Sequence, residues 1–209
     1  MSERIIETLD DVEEGAAYLS ARCPRMAHAL DLTAPLPLRR RPDGFAQLLS
    51  AIVSQQVSVA AADAIWRRMK QARLTGPRKI TWASDDDLRA AGLSRQKIRY
   101  ARALAEARIN YTHLRSAPTP EVIETLTEVP GIGVWTAEIY AMFSLGRADV
   151  FAPGDLALQE GVRLLYDLPE RPKERALREM AQAWAPWRSV AARLLWAYYA
   201  KAKQREGIR

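Results

Sequence analysis

Residues 126–155 read LTEVPGIGVWTAEIYAMFSLGRADVFAPGD, and the spacing of helix breakers in this stretch decides the fold. Pro130 stops a preceding helix, while Gly131 and Gly133 permit positive φ and carry no Cβ, so two helices can join through a tight turn with its amides uncovered. The next helix opens with Val134, Trp135, Thr136 and Ala137. The N–H groups of its first turn point at whatever the turn touches and favour an anion such as a backbone phosphate. Twenty residues beyond Trp135, a Val150-Phe151-Ala152-Pro153-Gly154 run ends in a carboxylate, Asp155, isolated on a Gly/Pro turn.

Outward from this stretch, almost every segment repeats its apolar residues at helical period. Asp43 is placed to cap a helix whose Phe45, Leu48, Leu49, Ile52 and Val53 share a face, and Ser58 to start the next. LTGPRKITW reads as a break. Ser84 with Asp85, Asp86 and Asp87 gives a cap and an acidic first turn, Gly92 ends that helix, and Ser94 caps another running to about Ile109. Consecutive helical carboxylates do not converge on a metal, so the acidic triplet reads as structural. Pro118-Thr119-Pro120 opens the helix that ends at Pro130, the helix after the turn runs to about Ser144, and others follow near 155–166, 173–184 and 186–204. No stretch alternates as a strand does. The expected fold is all-α.

The chain has 209 residues, enough for a substantial core, and its 48% hydrophobic content excludes a largely disordered protein. No apolar run approaches a membrane span, and MSERIIETLDD is too charged for a secretory signal, so a soluble intracellular protein with no membrane partner is expected. A lone Cys23 excludes an intrachain disulfide and a four-cysteine zinc or iron–sulfur site. The net charge of +6 favours a polyanionic partner. Arg67, Arg68, Lys70, Arg73, Arg78 and Lys79 form one acid-free run, and Arg188, Arg193, Lys201, Lys203, Arg205 and Arg209 face only Glu206 in the tail. Each run alone reads as a solvated helix face.

The pairing of PGIG with the later Pro-Gly-Asp resembles the helix-hairpin-helix, Gly/Pro-rich loop and Asp of the base-excision DNA glycosylase superfamily, in particular its 3-methyladenine DNA glycosylase II branch. AIVSQQVSVAAADAIW (51–66), GLSRQKIRYARALA (92–105) and WAPWRSVAARLLWAYYA (184–200) resemble that branch in order and spacing, so the likeness spans roughly residues 43 to 200. The resemblance implies two helical lobes beside a DNA-binding cleft. One is a central lobe over 43–149; the other is built from 1–42 and 150–209, with Asp155 at the cleft mouth.

The implied reaction is hydrolysis of the N-glycosidic bond of an alkylated purine, 3-methyladenine foremost, in double-stranded DNA. Extruding the nucleotide costs a few kcal/mol, so such an enzyme must hold phosphates, fill the gap, stack on the flipped base and stabilise positive charge at the sugar. By resemblance, Gly131, Ile132, Gly133, Val134 and Thr136 hold the strand, and Gln56 enters the vacated stack where relatives often have Leu. Gln55 reads as structural. The carbonyls of Thr127, Val129 and Ile132 are the implied ligands of a monovalent cation, Na+ or K+; no other cofactor is expected. Trp135 and Trp196 occupy the aromatic positions of the base pocket, suited to a cationic base. Ile139, with Tyr140 beside it, stands where some relatives place a pocket Tyr. Asp155 is the expected catalytic carboxylate, stabilising oxocarbenium character and orienting water, and it is also a good helix N-cap.

Bifunctional members of the superfamily carry a Lys nucleophile at the start of the second hairpin helix. Trp135 stands there, and Lys97 lies in a different helix, so the expected enzyme is monofunctional and leaves the strand uncut. His28 and His113 lack partners at motif spacing. Excision of uracil, hypoxanthine or an oxidised purine, and a non-catalytic hairpin clamp on DNA, are the competing readings. The expected protein is a monomer, in the cytoplasm at the nucleoid of a bacterium or in the nucleus of a eukaryote.

Overall fold

The computed structural model describes residues 3–205. In chain order the helices are α1 (Leu9–Arg22), α2 (Pro24–Thr33), α3 (Phe45–Ser54), α4 (Val59–Gln71), α5 (Pro77–Trp82), α6 (Asp85–Ala90), α7 (Arg95–Glu106), α8 (Tyr111–Ser116), α9 (Thr119–Thr127), α10 (Val134–Phe143), α11 (Leu156–Leu165), α12 (Glu174–Met180) and α13 (Arg188–Arg205). A 3-10 turn spans Ala181–Trp184, and the sole extended pairing among the described residues is one bridge, Ile5 with Arg147. The fold is all-α, and among the described residues no helix is long and apolar enough to cross a membrane. Glu206 and Arg209 of the basic tail lie outside them.

Two compact units divide the chain, residues 41–140 and residues 1–40 with 141–209; the division falls within α10. In the 41–140 unit, α3 packs against α4 and α7 because Phe45, Leu48, Leu49, Ile52 and Val53 are all buried. Helix α7 answers with Ile98, Ala101, Leu104 and Ala105, one stripe at helical spacing. Ser58, Ser84 and Ser94 cap their helices, each accepting a backbone N–H three residues on, and Ser84 with Asp87 completes a capping box.

Three local expectations give way here. Asp43 caps nothing: the N-cap of α3 is Gly44, and the Asp43 carboxylate accepts from Arg115 Nε at 2.7 Å. The supposed break at LTGPRKITW contains α5, opened by Pro77 in the first helical turn, where the N–H has no intrahelical partner to lose. Arg102 of α7 stabilises that short helix by donating to the carbonyls of Ile80, Thr81 and Ala83, a long-range contact no local pattern announces. Helix α7 stops at Glu106, and α8 occupies part of the presumed connection.

In the other unit, α13 is the central element and packs against α1, α2 and α11. Two glycines make those crossings close. A Cβ on Gly15 of α1 would come within 2.7 Å of the Trp187 ring, and one on Gly161 of α11 within 2.9 Å of the Leu195 carbonyl. Backbone cannot retreat as a side-chain tip can. Gly161→Ala is therefore expected to lower stability by about 1–2 kcal/mol in chemical denaturation, the overpacking cost exceeding the helix-propensity gain.

Candidate active site and nucleic-acid interface

The hairpin of the 41–140 unit joins α9 to α10 through Val129–Gly133. Its two glycines do different work. Gly131 has φ +95°, and a Cβ there would lie 2.4 Å from Tyr100 Cγ, so the residue is required twice over. Gly133, free to adopt the same conformation, does not take positive φ; a Cβ there would meet nothing within 4 Å. Its role is to keep the outer face of the turn bare. Val134 and Trp135 are exposed beside it, whereas the side chains of Ile132 and Thr136 are buried and leave only backbone to offer a ligand. The Val129 carbonyl accepts the Ile132 N–H at 3.0 Å, which uses one of its two lone pairs. A carbonyl set of Thr127, Val129 and Ile132 is neutral, hard and all-oxygen, and so suits an alkali cation.

The loop between α3 and α4 is tied to this hairpin. Gln55 Nε2 donates to the Gly131 carbonyl at 2.8 Å, so the first glutamine of the pair is the structural one. Lys97 Nζ donates to the Val53 carbonyl at 2.6 Å, closing the end of α3, and burial pulls its pKa below the usual lysine range. Between these anchors Gln56 sits at φ +55°, a conformation rare for a residue with a side chain, and is exposed. Val57 and Val59 are exposed too, the latter at 79%. These bare valines put apolar surface beside the Gln56 amide, an exposure that their β-branched pattern alone did not announce. A cavity of about 610 Å³ opens beside the loop, lined by Gln56, Ser94, Gln96, Lys97 and Tyr100 with the hairpin glycines.

Of the aromatic residues expected at a base pocket, Trp135 is 46% exposed on the first turn of α10. Ile139, four residues on and half-buried, shares its face. Tyr140 belongs elsewhere. It is 3% exposed, its hydroxyl accepts the Gly44 N–H at 2.8 Å, and burial pushes its pKa up to about 12. That phenol locks the start of α3 and presents no open face to a base.

Asp155 and Trp196 meet in the other unit. Asp155 is the N-cap of α11, and its Oδ1 accepts the N–H groups of Ala157 (2.9 Å) and Leu158 (3.0 Å) together with Trp196 Nε1 (3.1 Å). Three donors on one oxygen fix the plane of the carboxylate. Trp196 is thus held edge-on to the acid, a contact that sequence spacing did not predict. The turn before it is equally fixed: Gln159 Nε2 donates to the Pro153 carbonyl at 2.7 Å, and the Asp155 N–H to the Ala152 carbonyl at 3.0 Å. Upstream, Arg188 grips Asp149 through two hydrogen bonds of 2.7 and 2.8 Å, an ion pair that raises the Arg188 pKa. Ser189 binds the carbonyls of Arg147 and Val150.

These contacts revise the reading of the basic tail. Arg188 is paired, Arg193 is buried, and Lys201 Nζ donates to the Leu32 carbonyl. The 66–79 run is different: Arg67, Lys70, Arg73, Arg78 and Lys79 are exposed. His113, which has no motif partner in sequence, lies 2.5 Å from Glu121 on the surface. The acidic triplet is structural, as expected, with Asp85 bound to Arg102 and Asp87 to Ser84.

A bare glycine turn between two helices, followed by a Gly/Pro-bounded aspartate at a helix start, defines a helix-hairpin-helix protein of the base-excision type. The model of the HhH-GPD superfamily of base excision DNA repair proteins matches residues 49–186. The chain is 31% identical over 203 residues to DNA-3-methyladenine glycosylase 1 of Schizosaccharomyces pombe, covering 93% of this chain and 89% of that protein. Among solved structures, a DNA-3-methyladenine glycosidase from Bacillus halodurans aligns with TM-score 0.81 at 35% identity, over 98% of this chain and 95% of that one. The S. pombe 3-methyladenine DNA glycosylase in complex with abasic DNA aligns with TM-score 0.77 at 30% identity, over 91% and 97%. The chain belongs to the HhH-GPD superfamily of base excision DNA repair proteins.

The contrast between the two hairpin glycines is testable. Gly131→Ala should destabilise the protein by about 1–3 kcal/mol in thermal or denaturant unfolding, from strain at positive φ and collision with Tyr100. Gly133→Ala should leave stability within about 0.5 kcal/mol while weakening duplex binding about tenfold in a fluorescence-anisotropy titration, as a methyl group comes between amide and phosphate.

Proposed function

We propose that this base excision repair glycosylase hydrolyses the N-glycosidic bond of alkylated purines, 3-methyladenine foremost, in double-stranded DNA and leaves the strand uncut. The observation that carries the reading is Asp155, whose Oδ1 is held by three N–H donors at the mouth of a Pro-Gly turn. A carboxylate fixed in that way needs no reorganisation when positive charge develops nearby.

In the proposed sequence the hairpin backbone at Gly131–Val134 holds phosphates of the damaged strand; the carbonyls of Thr127, Val129 and Ile132 would hold Na+ or K+, which would supply positive charge for those phosphates. Gln56 enters the stack with Val57 at its side, compensating part of the pairing and stacking lost on extrusion. The base rests on the face formed by Trp135 and Ile139, where an indole favours a ring carrying positive charge. As the C1′–N bond breaks, its electron pair goes to the base, which departs neutral if it was alkylated to a cation. Asp155 stabilises the oxocarbenium character left on the sugar and takes the proton of the water that adds to C1′. No acid is needed for such a leaving group.

Names of the relatives support the substrate class, since both the S. pombe and B. halodurans proteins are 3-methyladenine glycosylases. A lyase step needs an amine nucleophile. Helix α10 opens Val134-Trp135-Thr136, no lysine occurs between residues 98 and 172, and the Lys97 amine is bound to the Val53 carbonyl.

Asp155→Asn is expected to slow base release from alkylated duplex about 1,000-fold, measured as alkali-labile sites, with DNA binding retained or improved because a negative charge has gone. Unchanged base release would exclude the mechanism. Borohydride should trap no covalent protein–DNA adduct.

A further inference from the structure

Arg193 carries a charge into the core of the unit formed by residues 1–40 and 141–209, where it is 1% exposed. Its Nε and Nη2 donate to the Leu38 carbonyl at 3.2 and 3.0 Å, and Nη1 donates to the Ser189 carbonyl at 2.8 Å. Its guanidinium carbon lies 4.9 Å from the centroid of the Phe143 ring. Burial, with Arg39 and Arg40 nearby, pulls its pKa down to about 10, so it remains a cation at neutral pH. Met would occupy much of the same space without desolvating a charge. The cost points to a use.

Phe143 leads from this charge towards the aspartate. Its ring lies 5.7 Å from that of Trp196, centroid to centroid, tilted by 32°, and Trp196 Nε1 donates to Asp155 Oδ1 at 3.1 Å. Trp196 follows Arg193 by three residues on α13, so the two side chains share a helix face with Phe143 against both. An indole presents its N–H in one direction only, and rotation about its side-chain bonds would carry that donor off Oδ1. A guanidinium pinned by two backbone carbonyls is a rigid backing for Phe143, and Phe143 in turn limits the rotation of the indole.

We propose that Arg193 is a positioning residue for base excision: it clamps Phe143, Phe143 fixes the Trp196 ring, and the Trp196 N–H sets the carboxylate of Asp155. This rests on Asp155 being the catalytic carboxylate. The side chain never touches substrate, so its loss should change the rate and spare binding.

The test is single-turnover base release from purine-methylated duplex, alongside the Kd for an abasic duplex. Arg193→Met is expected to slow release about 10–100-fold with Kd unchanged within about twofold, and Arg193→Lys to recover part of the rate. Trp196→Phe removes the N–H that is being aimed, so adding Arg193→Met to it should cost less than about twofold more. A wild-type rate in folded Arg193→Met, or losses that multiply in the double variant, would overturn the proposal. Phe143→Leu removes the aromatic link while leaving Arg193 and its carbonyl acceptors in the chain, and covers the case in which Arg193→Met does not fold; the same slowing is expected, and a wild-type rate counts against the relay. Asp155→Asn is assayed in parallel. Full activity there would refute the catalytic reading and the relay with it, whereas an inactive Asp155→Asn beside unimpaired Arg193→Met and Phe143→Leu would remove the relay alone.

Discussion

One carboxylate oxygen, Asp155 Oδ1, accepts three N–H groups, and the local design of the 1–40 and 141–209 unit follows from that convergence. Two donors belong to the first turn of α11, so the acid can be held only where a helix begins. The third comes from Trp196 on α13, which requires α11 and α13 to approach closely, and Gly161 makes room for it. Pro153 and Gly154 deliver the chain to that point, Gln159 holds the turn from within, and the Arg188–Asp149 pair fastens the segment upstream to the start of α13. The cap of α11 is also the carboxylate proposed to react, and the N–H donors that satisfy it as a cap are the ones that hold it still.

The hairpin unit solves a different problem, that of presenting backbone. Tyr100 fills the space beneath Gly131, while the space above Gly133 is left bare, so one glycine is demanded by packing and its neighbour by access. Tyr140 shows how close the two demands lie. Less than a turn and a half of helix separates the exposed Trp135 from a buried phenol that accepts the Gly44 N–H.

Much of this was readable from the chain because it is local. The PGIG turn, the serine caps at 58, 84 and 94, and the Pro-Gly-Asp start of α11 are short-range signals whose physics is complete within a few residues, and all appear as expected. The helical period of α3 and α7 likewise marked their buried faces. What could not be read depends on partners distant in sequence. Arg102 supports α5 from another helix, Arg115 takes Asp43 away from its apparent cap, Lys97 closes the end of α3, and Gln55, structural as expected, finds its acceptor on the distant hairpin. Charge counting was the weakest guide: a run of cations in the tail reads as a solvated face, yet Arg188, Arg193 and Lys201 are bound to a carboxylate or to carbonyls. A pattern reports residue type and spacing, not which carbonyl lies within reach.

The tether from Gln55 to the Gly131 carbonyl joins the exposed tip at Gln56 and the hairpin turn into a single stiff piece. On the proposed reading, the distance by which that tip penetrates a duplex is fixed before any encounter. Discrimination then passes to the nucleic acid: sound base pairs resist a probe of constant length, and weakened ones give way to it.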